Sequence, residues 1–360
     1  MHIPDGYLSP ATCLATYALA VPFWSVALKR VERRLDTRMV PLLALFSAFS
    51  FVIMMFNLPL PGGTTGHAVG MGIAAVVLGP WAGMLAISIA LLIQSVFFGD
   101  GGITTLGANC LNMAIVGSIV AWIVYRLVAG RAALTSPRRV VAAALAGYIA
   151  INVSALLAAI EFGVQPLWFH AADGTPLYAP YPLAIAIPAM MIGHLGPAGL
   201  AEAIVSAGLV AWLQRGDPAL LRATAPDAPL DQVHEPADTI GGWSPARKLL
   251  AGLAVLMLLS PLGLLASGGA WGEWDVEAFA RAETRQQIAV ASGLNAPPQQ
   301  APAGLARLAS TWSAPLPDYA VPSLSAPVGY VLSAVAGSGL VILIWLLVGR
   351  FMTRRSGADA

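Results

Sequence analysis

Residues 67–98 read "HAVGMGIAAVVLGPWAGMLAISIALLIQSVFF", and the fold turns on whether this stretch crosses a bilayer once or twice. A span needs about 20 mostly apolar residues, so the stretch is too long for one comfortable crossing. Residues 67–79 are only just long enough to cross a thinned or crowded region, while 81–99 makes a full span. If the first part enters and the second returns, the stretch is a hairpin and the chain gains a crossing.

The rest of the chain sets the terms of that choice. Of 360 residues, 58% are hydrophobic and 10% charged, against about a quarter charged in soluble domains. Further candidate spans cover about 8–28, 40–58, 104–126, 140–160, 183–213, 249–268 and 328–349. Basic residues mark the cytoplasmic loops of membrane proteins. Here the loops holding Lys29 to Arg38, Arg126 to Arg139, Arg215 to Lys248 and Arg350 to Arg355 carry all but three of the 19 basic residues. The exceptions, Arg281, Arg285 and Arg307, share one long loop where the rule is weak. With the basic side inside, the N-terminus is expected outside and the C-terminus in the cytoplasm. That needs an odd number of crossings: nine satisfy the rule and eight break it. The 67–79 segment is therefore expected to pair with 81–99 as a hairpin.

The expected fold class is an all-α polytopic membrane protein, a seven-span helical bundle plus two C-terminal transmembrane helices. Residues 1–213 form the bundle. Residues 214–246, beginning "QRGDPALLRATAPDAPLDQVHEPAD", read as a polar cytoplasmic linker. Residues 247–360 hold two spans around an external loop, roughly 269–327. Its composition, as in "LNAPPQQAPAGLA", predicts little core of its own. No internal repeat is apparent, although secondary transporters often carry one. A net charge of +1 argues against nucleic acid as partner. Cys13 and Cys110 fall inside apolar runs and read as packed thiols. No basic residue precedes Lys29, so the start does not read as a signal peptide, and the N-terminus is expected to be mature.

That N-terminus, "MHIPDGYLSP", carries chemistry. A free amine, the deprotonated His2 amide and His2 Nδ1 can close a five- and a six-membered chelate ring in one plane. Planar nitrogen donors favour Cu(II) or Ni(II) and accept low-spin Co(II). Met1 is expected to survive, because His2 is too large for the usual removal of the initiator. A fourth donor is available in "NLPLPGGTTGHAVG", Asn57 to Gly70, where His67 ends a glycine-rich loop on the same side. Neutral imidazole is the commonest metal ligand. The plainer readings are an exposed tail residue for His2 and a capping or packing residue for His67.

Buried polar groups in a membrane are costly unless satisfied, so each is a functional candidate. Asn57, Gln94, Asn109 and Asn112 are candidates for supporting the ligand loop. Asn109 and Asn112, three apart, share a helix face. Ordinary interhelical hydrogen bonds, about 0.6 kcal/mol each, are the competing account. His194 and Glu202 lie eight apart in the seventh span, on one face, and Glu202 is the one carboxylate well inside a predicted span. A structural role is favoured for the pair over partner contact or proton transfer.

The N-terminal motif together with "PGGTTGHAVGMGIAAVVLGPWAGMLAISIALLIQSVFFGDGGITTLGANCLNMAIVG" closely resembles the cobalt/nickel substrate-binding subunit of energy-coupling-factor transporters, over residues 1 to about 213. That resemblance implies seven spans and a metal held by the amine of Met1, the backbone and ring nitrogens of His2, and His67. It implies a bacterial inner-membrane location among membrane lipids, a second transmembrane coupling subunit and two ATPase subunits. No cofactor is implied beyond the transported Co2+ or Ni2+, and the balance leans slightly to cobalt. "SAPLPDYAVP" (313–322) and "GYVLSAVAGSGLVIL" resemble the small two-span accessory subunit, here fused. Such modules carry Pro-Asp-Gly-Leu-Glu after their first span, where this chain has "AWGEWDVEAF". The chain holds no G-x-x-x-x-G-K-[ST] phosphate loop, so it is expected to be a transporter subunit rather than an enzyme. The rivals are a proton-coupled transporter using His194 and Glu202, and an intramembrane metalloenzyme, which ranks last because there is no H-E-x-x-H and no evident base.

Overall fold

The computed structural model describes residues 1–33, 39–229, 245–266, 268–294 and 297–356. The expected linker is described only as far as residue 229, and residues 230–244 lie outside the described residues. The main helices are α1 (Pro10–Glu32), α2 (Met39–Met54), α3 (Met71–Phe98), α4 (Leu106–Ala129), α5 (Pro137–Trp168), α6 (Leu183–Gly216) and α7 (Pro245–Leu259). Three short helices follow, α8 (Val276–Ala280), α9 (Ala282–Ala291) and α10 (Ala303–Leu308), before the long α11 (Ala326–Ser356). Seven of the described helices are long and apolar enough to cross a membrane, and Met39–Met54 is a shorter apolar one. A small antiparallel hairpin, β1 (Leu58–Leu60) with β2 (Thr64–Gly66), is the one strand pair among the described residues, and it shapes the loop before His67.

Helix α3 folds back on itself, so 67–79 and 81–99 do pair as a hairpin, but the first helical arm, residues 71–78, is only about 12 Å long and makes no full crossing, in place of the expected ninth span. Gly79 sits at φ 79°, ψ 170°, a conformation open essentially to glycine alone. A side chain on Gly83 would lie 3.4 Å from the backbone of Ala74. Nine residues of continuous helix would hold those positions about 13 Å apart. Pro80 has no N–H to offer the carbonyl of Val76. The hydroxyl of Thr224, arriving from the turn after α6, donates to that carbonyl instead. The turn is thus closed by a residue at the start of the linker region. Gly79→Ala is expected to lower the melting temperature of the detergent-solubilised protein, costing about 1–3 kcal/mol through strain at positive φ.

The core is built from small residues. The buried face of α5 includes Ala142, Ala143, Ala146, Gly147 and Ala150, which lets α4 and α6 approach closely. The two C-terminal spans α7 and α11 dock on α2, where the Trp345 indole donates to Ser47 at 2.8 Å.

Two expectations are corrected. Helix α5 runs to Trp168 rather than residue 160, so Glu161 also lies inside a span and Glu202 is not the one carboxylate there. The external loop does have a core, shared with the bundle: Trp271, Trp274, Phe279, Ile288, Leu305 and Tyr319 are buried. Trp271 meets Phe162 edge-on at 5.8 Å, and Thr65 N–H donates to the Gly269 carbonyl at 3.1 Å. The Pro/Ala/Gln text hid these aromatic anchors because it dominates the average composition.

Candidate metal centre

The first residues form a plug in one end of the bundle, not a tail. Met1, His2, Ile3, Tyr7 and Leu8 are all buried. Pro4 and Gly6, with φ 88° at Gly6, turn the chain, and the Tyr7 N–H closes on the Pro4 carbonyl. The bundle supplies partners for several polar groups of the plug. Asn109 grips Ile3 from both sides, its Oδ1 accepting the Ile3 N–H at 2.8 Å and its Nδ2 donating to the Ile3 carbonyl at 3.1 Å. Gly102 N–H and the Thr105 hydroxyl donate to the same carbonyl. In return, the Asp5 carboxylate accepts from the N–H groups of Ile103 and Thr104 and from the Thr104 hydroxyl. The Tyr7 hydroxyl donates to the Trp274 carbonyl at 2.7 Å.

The His67 loop is anchored separately. Both oxygens of Glu202 are used: Oε2 accepts from Val69 N–H at 2.7 Å and Gly70 N–H at 2.8 Å, and Oε1 from Gly72 N–H at 3.0 Å. These are the free amides at the start of α3, where a carboxylate is favoured by both hydrogen bonding and the helix dipole. Ser50 donates to the Val69 carbonyl at 2.9 Å.

These two supports bring His2 and His67 together, their rings stacked with centroids 5.1 Å apart and planes inclined at 28°. His67 Nδ1 faces the Ala68 carbonyl at 3.1 Å, which assigns the proton to Nδ1 and leaves the Nε2 lone pair bare. Burial, then the neighbouring His2 ring and the terminal amine, push His67 down to about 3, so it is neutral across the physiological range. His2 Nδ1 lies 2.8 Å from Asp100 Oδ1, but off the hydrogen-bonding direction. Both ring nitrogens of this buried side chain are left without a hydrogen bond. Such atoms are rare in folded chains and call for a ligand or a function.

Two carboxylates attend the centre. Glu273 Oε1 lies 3.2 Å from the Met1 amine. Burial alone would raise the Asp100 carboxyl, but the His2 and His67 rings and the Tyr319 hydroxyl outweigh it and hold it below the usual carboxylate range. Ligand atoms of His2, Asp100 and Glu273 all lie within 4.8 Å of one another, the one such group of His, Cys, Asp or Glu found among the described residues. A cavity of about 590 Å³ opens beside them, lined by His67, Asp100, Glu273, Asp275 and Asp318.

The supporting residues distribute unevenly. Gln94 donates to Asp100 at 3.1 Å and to Tyr319 at 2.9 Å, so it acts one bond further out. Asn57 lines the cavity. Asn112 does not reach the centre: its amide donates to Glu161 at 2.7 Å. The turn at Cys110–Val116 is widened, so the three-residue spacing does not aim Asn109 and Asn112 at one target. His194 and Glu202 are likewise not brought to a common partner. The helix is broken at Gly196-Pro197 between them, and His194 Nδ1 bonds the Met190 carbonyl at 2.8 Å. Asp100 and Glu273 were not singled out in sequence. Their signals were an acid between glycines in "FGDGG" and the altered "AWGEWD" motif.

Comparison with known proteins gives the family of the chain. Residues 2–220 match the family model CbiM, described as the cobalt uptake substrate-specific transmembrane region, and residues 246–354 match the PDGLE domain. The chain is 58% identical to the fused nickel transport protein NikMN of Rhodobacter capsulatus, across 99% of this chain and 100% of that one. It is 40% identical to the probable fused nickel transport protein LarMN of Lactiplantibacillus plantarum, across 97% of each. It is 35% identical to the cobalt transport protein CbiM of Geobacter sulfurreducens, across 61% of each. A crystal structure of a truncated transition metal transporter superposes with a TM-score of 0.56 at 50% identity, covering 60% of this chain and 99% of that one.

Proposed function

The chain belongs to the CbiM family of cobalt and nickel transport membrane subunits, and on that premise we propose that it captures Ni2+ in a planar set of four nitrogens. The donors are the Met1 amine, the His2 amide, His2 Nδ1 and His67 Nε2. The observation that carries this reading is the buried His2 ring with no hydrogen bond at either nitrogen, stacked on His67 beside the terminal amine. A dication in a buried site needs compensating charge. Asp100 stands against Nδ1 and Glu273 against the amine, so each of these donors has a carboxylate beside it. Nickel is preferred because relatives matching over nearly the full length are named for nickel, and planar nitrogen donors suit Ni(II).

The amino terminus and the metal centre face outside, and the basic loops face the cytoplasm of a bacterial inner membrane. Only two lysines occur in the chain, and neither stands in a phosphate-loop string, so ATP hydrolysis belongs to partners. These are a second transmembrane subunit and two ATPase subunits of an energy-coupling-factor complex. Reprotonation of the His2 amide weakens the chelate and supplies a release step.

Replacing His2 by alanine tests the chelate. It removes the imidazole nitrogen and leaves the terminal amine and the amide with no donor to close the second ring. The purified variant is expected to retain no nickel by elemental analysis, and retention equal to the parent's would refute the reading.

A further inference from the structure

The module's departure from Pro-Asp-Gly-Leu-Glu falls on the metal centre. The segment "AWGEWD" is clamped by its tryptophans: Trp271 lies 5.1 Å from the Tyr181 ring, and the Trp274 carbonyl is held by Tyr7. Glu273, between them, bonds the Met1 amine and is 20% exposed, lining the cavity as well. It therefore touches both the cavity and a donor of the chelate. Beside it, His2 is 1% exposed, with Nδ1 2.8 Å from Asp100 and Nε2 without a hydrogen bond, and its ligand atom lies within 4.8 Å of the Glu273 carboxylate.

We propose that Glu273 is the capture ligand for the incoming divalent cation, exchanging the Met1 amine for the ion and holding it with Asp100 and His2 before the four nitrogens take over. This rests on the reading above and extends it to a residue supplied by the fused module. The chemistry favours two stages. Hydrated first-row dications accept carboxylate oxygens readily, whereas binding to an amide nitrogen requires that nitrogen to lose its proton. Asp275 and Asp318 on the cavity wall add negative charge along the approach, and clefts lined by one sign of charge raise association rates. One cation replaces another at Glu273, so the carboxylate is not left unpaired during the exchange.

The test is stopped-flow mixing of the full chain in detergent with nickel chloride, following the absorption of the planar nitrogen complex. Glu273→Gln is expected to slow association about tenfold at low ionic strength, with the gap closing as salt rises. Glu273→Asp, which keeps the charge, is expected to recover most of the rate. A Gln variant within about twofold of the parent at every salt concentration overturns the proposal. So does an equal slowing at low and high salt, which marks mere loosening of the plug. His67→Ala, run alongside, separates the two claims: nickel retained there sinks the four-nitrogen reading, while a normal rate in Glu273→Gln sinks only the capture role.

Discussion

Glu202→Ala is expected to cost about 3–5 kcal/mol of stability and to abolish nickel retention at the same time. Both effects have one cause. The carboxylate satisfies the N–H groups of Val69, Gly70 and Gly72, and each buried donor left alone costs about 1–3 kcal/mol. Val69 is two residues from His67, so releasing it frees the ligand loop. Glu202→Gln is expected to fall between. Its one remaining oxygen can serve Val69 and Gly70, but its amide then confronts the Gly72 N–H. Thermal unfolding in detergent and retained nickel are the two readouts. A proton-carrying Glu202 would behave differently: the Gln variant would fold and bind normally and lose only uptake driven by a pH gradient.

His67→Ala is expected to weaken nickel binding by at least about 100-fold while leaving the bundle folded, because removing even an outer-sphere partner costs 10–100-fold. The loop backbone is held by Glu202 and Ser50, not by the imidazole, so the change is confined to the donor. Equilibrium dialysis against nickel gives the affinity, and an unchanged melting profile shows that the scaffold survives. Affinity within about threefold of the parent would remove His67 from the ligand set, since losing a ligand should exceed the 10–100-fold loss of an outer-sphere partner.

The parts of this protein that were legible in sequence are those governed by local chemistry and by length. The pairing of 67–79 with 81–99 followed from the sidedness of arginine, which demands an odd number of crossings, whereas the turn itself, at Gly79-Pro80, was not singled out. His2 and His67 stood out because their neighbours were turn formers. Asp100 and Glu273 did not, since each acquires meaning only across the fold: Glu273 meets Met1 from 272 residues away. Glu161 was placed beyond its span because the helix extends eight residues past the expected end at residue 160. The external segment was read from its prolines, whereas its few tryptophans decide how it packs. Sequence periodicity assumes regular helices, and it failed at His194–Ala198 and Cys110–Val116, where the helices are broken or widened.

The fold at Gly79 has a consequence for how the protein is made. Residues 71–78 form an arm of about 12 Å, at 1.5 Å per residue, against about 30 Å of hydrocarbon. An arm that short cannot be inserted by its own partitioning into lipid. It must enter as one unit with the longer return limb, or slot in after its neighbours have assembled. Its brevity also draws the loop before it, and His67 with it, below the surface of the finished bundle. The depth of the candidate metal centre is thus tied to where a glycine and a proline turn the chain round.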